Sequence, residues 1–157
     1  MDDTAILVIG IGNEYRSDDR VGLAIVRALK KKKLPGTKLI ESGDDSLNLI
    51  DTWKDAKFVI LVDAVSSDSE PGTIFRYNAL TEPIPTQLSF HSSHAISVAE
   101  TIELGNMLHQ LPPNLFLFGI EGKHFSSGIK MSAEVENAIP DVIEEVIQVI
   151  QTFQPFM

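Results

Sequence analysis

Cysteine is absent from the 157-residue chain, and that absence excludes disulfides, thiolate metal sites and a cysteine nucleophile together. Redox compartment is left open by it. Cations are scarce: 13 Lys and Arg stand against 22 Asp and Glu, a net charge of -9. A nucleic-acid surface needs clustered Lys and Arg, so no nucleic-acid partner is expected. The one basic run, residues 27–33, closes the first helical stretch, where cations complement the helix dipole. No apolar run approaches the ~20 residues of a membrane span. No basic segment precedes the first short apolar run, so no leader is read there and a soluble cytoplasmic protein is expected. Repeats, low-complexity tracts and linkers are missing too. With 43% hydrophobic residues, the expectation is a single domain over residues 1–157 with a substantial core.

Several chemical signatures are also missing. Gly10 and Gly12 follow an apolar strand, but no Gly-x-Gly-x-x-Gly is completed, because Tyr15 stands where the third glycine belongs. No Gly-Lys-Ser/Thr follows, and Asp18 and Asp19 would repel a phosphate. His-Glu-x-x-His and Gly-x-Ser-x-Gly do not occur. Ser92 and Ser93 adjoin His94, yet sequence neighbours rarely take up triad geometry.

What is present reads as strands alternating with helices. Residues 5–9 form a continuous apolar run that suits a central strand buried on both faces. The helical spacing of residues 21–29 follows, with Asp18 and Asp19 as candidate caps. Residues 37–42 read as a strand, 46–53 as a helix and 58–62 as a second central strand, with Asp63 immediately after it. The turn at 66–72 is too short for a parallel crossover, which puts the strand at 73–78 antiparallel at an edge. Residues 79–89 read as a loop, 95–108 as a helix, 114–120 as a fifth strand and 121–131 as a loop. A long amphipathic helix closes the chain, with Pro140 inside it as a kink or break. The fold class is therefore α/β: a three-layer α/β/α sandwich whose mostly parallel five-stranded sheet has one antiparallel edge strand.

Ligands in such sheets bind beyond the carboxyl ends of the strands. Asp19, Asp63 and His94 each follow a strand or open a helix at that edge, in loops expected to lie outside the core. Each residue alone has a bland reading as a cap or a packed side chain. Together, two carboxylates and an imidazole make a ligand set suited to Zn, Ni, Mn or Fe and too rich in nitrogen for calcium. Open coordination positions would remain for water or a substrate carbonyl. His91 reads as a surface residue.

These residues resemble the hydrogenase maturation endopeptidases, nickel-dependent processing proteases of hydrogenase large subunits. Gly10-Ile-Gly-Asn13 with Ser17-Asp-Asp19 and Gly22 is similar to that family's first-loop signature. Val62-Asp63-Ala64, Ser93-His94-Ala-Ile-Ser97, Gly119-Ile-Glu121 and Ser132-Ala-Glu-Val135 are similar to its later elements, in order and spacing. The resemblance implies that Asp19, Asp63 and His94 contact nickel already held by the substrate, a NiFe hydrogenase large-subunit precursor. Removal of a short C-terminal peptide would follow, by a monomeric enzyme. Glu41 aligns near an acidic position of the family, which implies a part in orienting water or substrate. Arg20 stands where a small residue is usual and bears on loop shape and partner fit.

The reaction implied is metal-assisted peptide hydrolysis, with a carboxylate taking the proton. Two rivals use the same residues differently. One is a non-catalytic nickel carrier. The other is a receiver-like signalling module, phosphorylated at Asp63, which would need a Lys after the fifth strand; Lys123 is the nearest one.

Overall fold

The computed structural model describes residues 6–43, 48–84, 89–90 and 98–153. Five strands form the body of one sheet in the spatial order β2 (Thr37–Ser42), β1 (Ile6–Ile11), β3 (Phe58–Ser66), β6 (Leu115–Glu121), β4 (Ile74–Asn78). The first four are parallel, and β4 runs antiparallel to β6 at the edge. A two-residue strand, β5 (Ser89–Phe90), pairs antiparallel with the end of β3, so the loop expected over 79–89 ends in a strand. Side-chain alternation sends Ile6, Val8, Ile60, Val62, Phe118 and Ile120 to one face, against α1 (Val21–Leu29) and α4 (Ala133–Phe153). Leu7, Ile9, Val59, Leu61, Leu115 and Leu117 go to the other face, against α2 (Asn48–Trp53) and α3 (Val98–Met107). Burial on both faces explains why the central strands read as unbroken apolar runs.

Two expectations change. Pro140 neither breaks nor splits α4, which runs as one helix. The proline lies on the exposed side, so water can serve the Glu136 carbonyl that it leaves without a helical donor. The buried stripe Val135, Ala138, Val142, Val146 and Ile150 stays in phase through it. Asp63 does not follow its strand: β3 continues to Ser66, pairing Asp63 with Gly119 and Val65 with Glu121 on one side and Val65 with Phe90 on the other. Available partner strands keep the ladder going past the last apolar residue of the run.

Chain direction reverses across β1: the first crossover leads to β2 on one side, the second to β3 on the other. The crevice between β1 and β3 is therefore the topological switch point, where open α/β sheets place ligands. Two glycines make the crossing of α1 over this point possible. A methyl group on Gly10 would lie 2.2 Å from the Gly22 carbonyl oxygen, and one on Gly22 would lie 2.5 Å from the carbonyl oxygens of Ile11 and Val62. Among the described residues no helix is long and apolar enough to cross a membrane.

Candidate active site

Between β1 and α1 the chain makes a single 3-10 turn, Ser17–Arg20, and all but the last of its residues are buried. Neither Asp18 nor Asp19 caps α1, whose N-cap position is held by Arg20 without a side-chain bond. The turn starts from a left-handed Ser17 (φ 53°), a conformation costing about 1–3 kcal/mol that persists only when its surroundings enforce it. Here they do. The Ser17 N–H donates to the Gly128 carbonyl at 2.9 Å and its hydroxyl to the Ser126 carbonyl at 2.7 Å.

Asp18 is fully buried and explains much of that enforcement. Its carboxylate accepts hydrogen bonds from the backbone N–H groups of Lys123 (2.7 Å), His124 (2.9 Å) and Ser132 (2.7 Å), and from the Ser132 hydroxyl (3.0 Å). Its own N–H donates to the His124 carbonyl. The loop between β6 and α4 is thus strapped to the loop that carries Asp19. Arg20 adds a guanidinium bond to the Ile129 carbonyl, which ties the same two loops together. In the sequence Asp18 reads as a candidate cap and as part of an acidic pair, and adjacency to Asp19 does not say which acid the loop takes up.

Asp19 and Asp63 are brought together at the switch point, both buried, at 2% and 0% exposure. This corrects the expectation that they lie in loops outside the core. Asp63 shares the strand phase of Val59, Leu61 and Val65, on the α2 and α3 side, and its neighbour on β6 is Gly119, which has no side chain to fill the space beside it. One Asp63 oxygen accepts the Ala64 N–H at 2.8 Å; Oδ2 is buried without a hydrogen-bond partner among the described residues. Burial pushes the Asp63 carboxyl well above the usual carboxylate range, the Asp19 charge pushes it further, and the Ala64 bond offsets only part.

His94 lies outside the described residues, as does His91. The flanks of that segment are described: Phe90 pairs with Val65, two residues beyond Asp63, and Val98 is buried at the start of α3 on the same face. Among the described residues no three His, Cys, Asp or Glu side chains form a metal-binding group. Among the described residues no contact joins Glu41 to the pair. It accepts from Arg27 Nε at 3.0 Å and Lys30 Nζ at 3.1 Å, and these bonds, the Arg27 one first, hold its pKa below the usual range despite partial burial. Arg27 also binds Glu14 at 2.8 Å, beside a shallow cleft of about 340 Å³ lined by Gly12, Tyr15 and Glu41. The lysine that a receiver would need is committed elsewhere, since Lys123 pairs with Glu134 at 3.0 Å.

Comparison with known proteins identifies the family. The model of the hydrogenase maturation protease family matches residues 23–149. The chain belongs to the hydrogenase maturation proteases. It is 32% identical over 150 residues to a Methanocaldococcus jannaschii protein assigned to the same proteases, covering 90% of this chain and 94% of that one. It is 26% identical to the hydrogenase 2 maturation protease of Escherichia coli, covering 93% and 90%. The fold matches the hydrogenase maturating endopeptidase HybD of Escherichia coli with a TM-score of 0.77 at 23% identity, over 94% of this chain and 92% of that one. The [NiFe] hydrogenase maturation protease HybD of Thermococcus kodakarensis gives 0.74 at 21%, over 92% and 98%. As a hydrogenase maturation protease the chain is a peptide-bond hydrolase, and several of the residues through which the sequence resembles that family have structural work in this fold. Gly119 leaves room beside Asp63, and Ser132 holds Asp18. Glu121, 2% exposed, accepts the Ser67 N–H at 2.9 Å and the Ser67 hydroxyl at 2.5 Å, closing the turn after β3.

Proposed function

We propose that this chain removes a short C-terminal peptide from the nickel-loaded large-subunit precursor of a NiFe hydrogenase, acting as a monomer in the cytoplasm. Asp19, Asp63 and His94 read the nickel, which belongs to the substrate. One observation carries this reading: Asp63 Oδ2 is buried without a hydrogen-bond partner among the described residues, close to a second buried carboxylate. Unpaired buried acceptors are costly, and a like-charged neighbour adds to the cost, so the pair fits a cation arriving from outside. Oxygen ligands with one imidazole suit nickel and leave zinc, manganese and iron as competitors. The bound metal supplies polarisation of the scissile carbonyl or a lowered pKa for the attacking water. The chain's own residues do the rest. Asp63, fixed by the β3–β6 ladder and the Ala64 N–H, holds its free oxygen in one place. Asp19 is fixed by the turn that Asp18 straps down, and one of the two carboxylates takes the proton released by water.

The test is a mass measurement on the precursor, mixed with the purified protein in nickel-loaded and nickel-free forms. Loss of a short C-terminal peptide from the nickel-loaded form alone is the expected result. An unchanged mass in both forms would replace the protease by a carrier built on the same ligands.

A further inference from the structure

The two segments that frame Asp19 end in water with large apolar side chains. Tyr15 is 67% exposed and Ile129 is 65% exposed. They flank a bridge that pairs Arg16 with Gly128, in which the Gly128 N–H donates to the Tyr15 carbonyl at 2.8 Å. The Tyr15 N–H is held by the Asn13 side chain at 2.9 Å, and the Ile129 carbonyl is held by Arg20. Both backbones are therefore fixed, and Asp18 straps the segments to each other. Apolar groups displayed on preorganised backbone lose little further freedom on binding, and exposed apolar patches rimmed by polar groups mark interaction sites. Charge adds a second argument. These segments carry Arg16, Arg20 and Lys130 besides the Lys123 that pairs with Glu134; of their carboxylates, Asp18 and Asp19 are buried and Glu14 is taken up by Arg27. The surface is basic on a chain of net charge -9.

We propose that Tyr15 and Ile129, on the segments strapped by Asp18, form the docking surface for the precursor polypeptide flanking the scissile bond, an extended stretch with apolar anchors and net negative charge. The inference rests on the protease reading above. Position selects this occupant: Tyr15 lies four residues before Asp19 in one loop, and Asp18 straps the Ile129 segment to it, so a chain seated on this surface is held beside the loop that carries the site. A substrate has to be held there, whereas a second copy of the chain has no such requirement.

The experiment measures cleavage of the nickel-loaded precursor by wild type and by the Tyr15→Ser/Ile129→Ser double variant. Both side chains stand in water, so the thermal midpoint should hold; the single variants, each giving part of the effect, serve if the double variant loses stability. Expected is a rise in KM of about tenfold or more, from the apolar burial lost on docking, with kcat within about threefold. The Arg16→Glu/Lys130→Glu variant should also raise KM and flatten its dependence on salt. An unchanged KM in the double variant, or a fall confined to kcat, overturns the surface while the protease reading stands. Concentration-dependent dimerisation abolished by Tyr15→Ser/Ile129→Ser, with KM unchanged, would assign the surface to a second copy and overturn the proposal. Failure of wild type to cut any nickel-loaded precursor removes the protease reading and this surface with it.

Discussion

Replacing Asp63 with Asn should make the metal-free protein more stable while abolishing cleavage. Among the described residues a fully buried carboxyl has one donor, the Ala64 N–H, one oxygen without a partner, and a second carboxylate nearby. An unpartnered buried acceptor costs about 1–3 kcal/mol, and more when charged. Asparagine keeps the oxygen facing Ala64 and turns an amide N–H2 toward Asp19, so repulsion is replaced by donation at almost unchanged volume. The gain expected at pH 7.5 in chelator is about 1–3 kcal/mol, or roughly 2–10 °C in thermal midpoint for a chain of this size.

The sign with pH follows from the raised pKa. Between the unfolded carboxyl's value near 4 and the higher folded value, the folded state holds more protons than the unfolded one, so stability falls as pH rises through that window. The advantage of Asp63→Asn should therefore be small near pH 4 and grow upward. Midpoints from denaturant titrations at several pH values, in chelator, measure it. A variant less stable than the parent at pH 7.5, or a difference flat from pH 4.5 to 7.5, would refute the account of Asp63 as an uncompensated buried acid. Added nickel should reverse the order, stabilising the parent and leaving the variant unchanged, as read by the same midpoints.

Asp18→Asn should cost about 2–4 kcal/mol, because an amide nitrogen meets donors that a charged acceptor had satisfied; chemical denaturation measures the loss, and a change under 1 kcal/mol would count against the strap. Gly10→Ala should cost about 3 kcal/mol or more, since its methyl group would stand 2.2 Å from the Gly22 carbonyl oxygen, seen as a lowered thermal midpoint or loss of soluble protein. Glu41→Gln should keep precursor cleavage within about threefold and cost only about 0.5 kcal/mol, as partly exposed ion pairs do. The Glu41 pKa is lowered, so its contribution is present at neutral pH and fades as pH falls through the lowered value. His94→Ala should abolish cleavage of the nickel-loaded precursor; substantial residual cleavage would remove His94 from the ligand set.

Much of the fold is legible in the residues because burial dictates it locally. Thr37–Ser42 and Val21–Leu29 occupy the spans expected from period and stop signals, and the edge position of β4 follows from a turn too short for a crossover. The errors share one cause, which is that tertiary partners decide what a polar residue does. Asp63 reads as the end of a strand because apolar character stops at Val62, but Gly119 and Phe90 extend the ladder on either side. Asp18 and Asp19 are indistinguishable as neighbours; a loop 105 residues away along the chain separates them, taking Asp18 as its anchor, while the Asp19 charge acts on Asp63. Glu41 shows the converse, an acid of suitable type that Arg27 and Lys30 draw into a surface network. A buried carboxylate with four donors, as Asp18 has, is a structural fastener, whereas Asp63, with one donor among the described residues and the Asp19 charge nearby, gains from a cation. The turn Ser17–Arg20 carries the fastener and Asp19 side by side, so the strap that fixes the loop also fixes the acid beside Asp63.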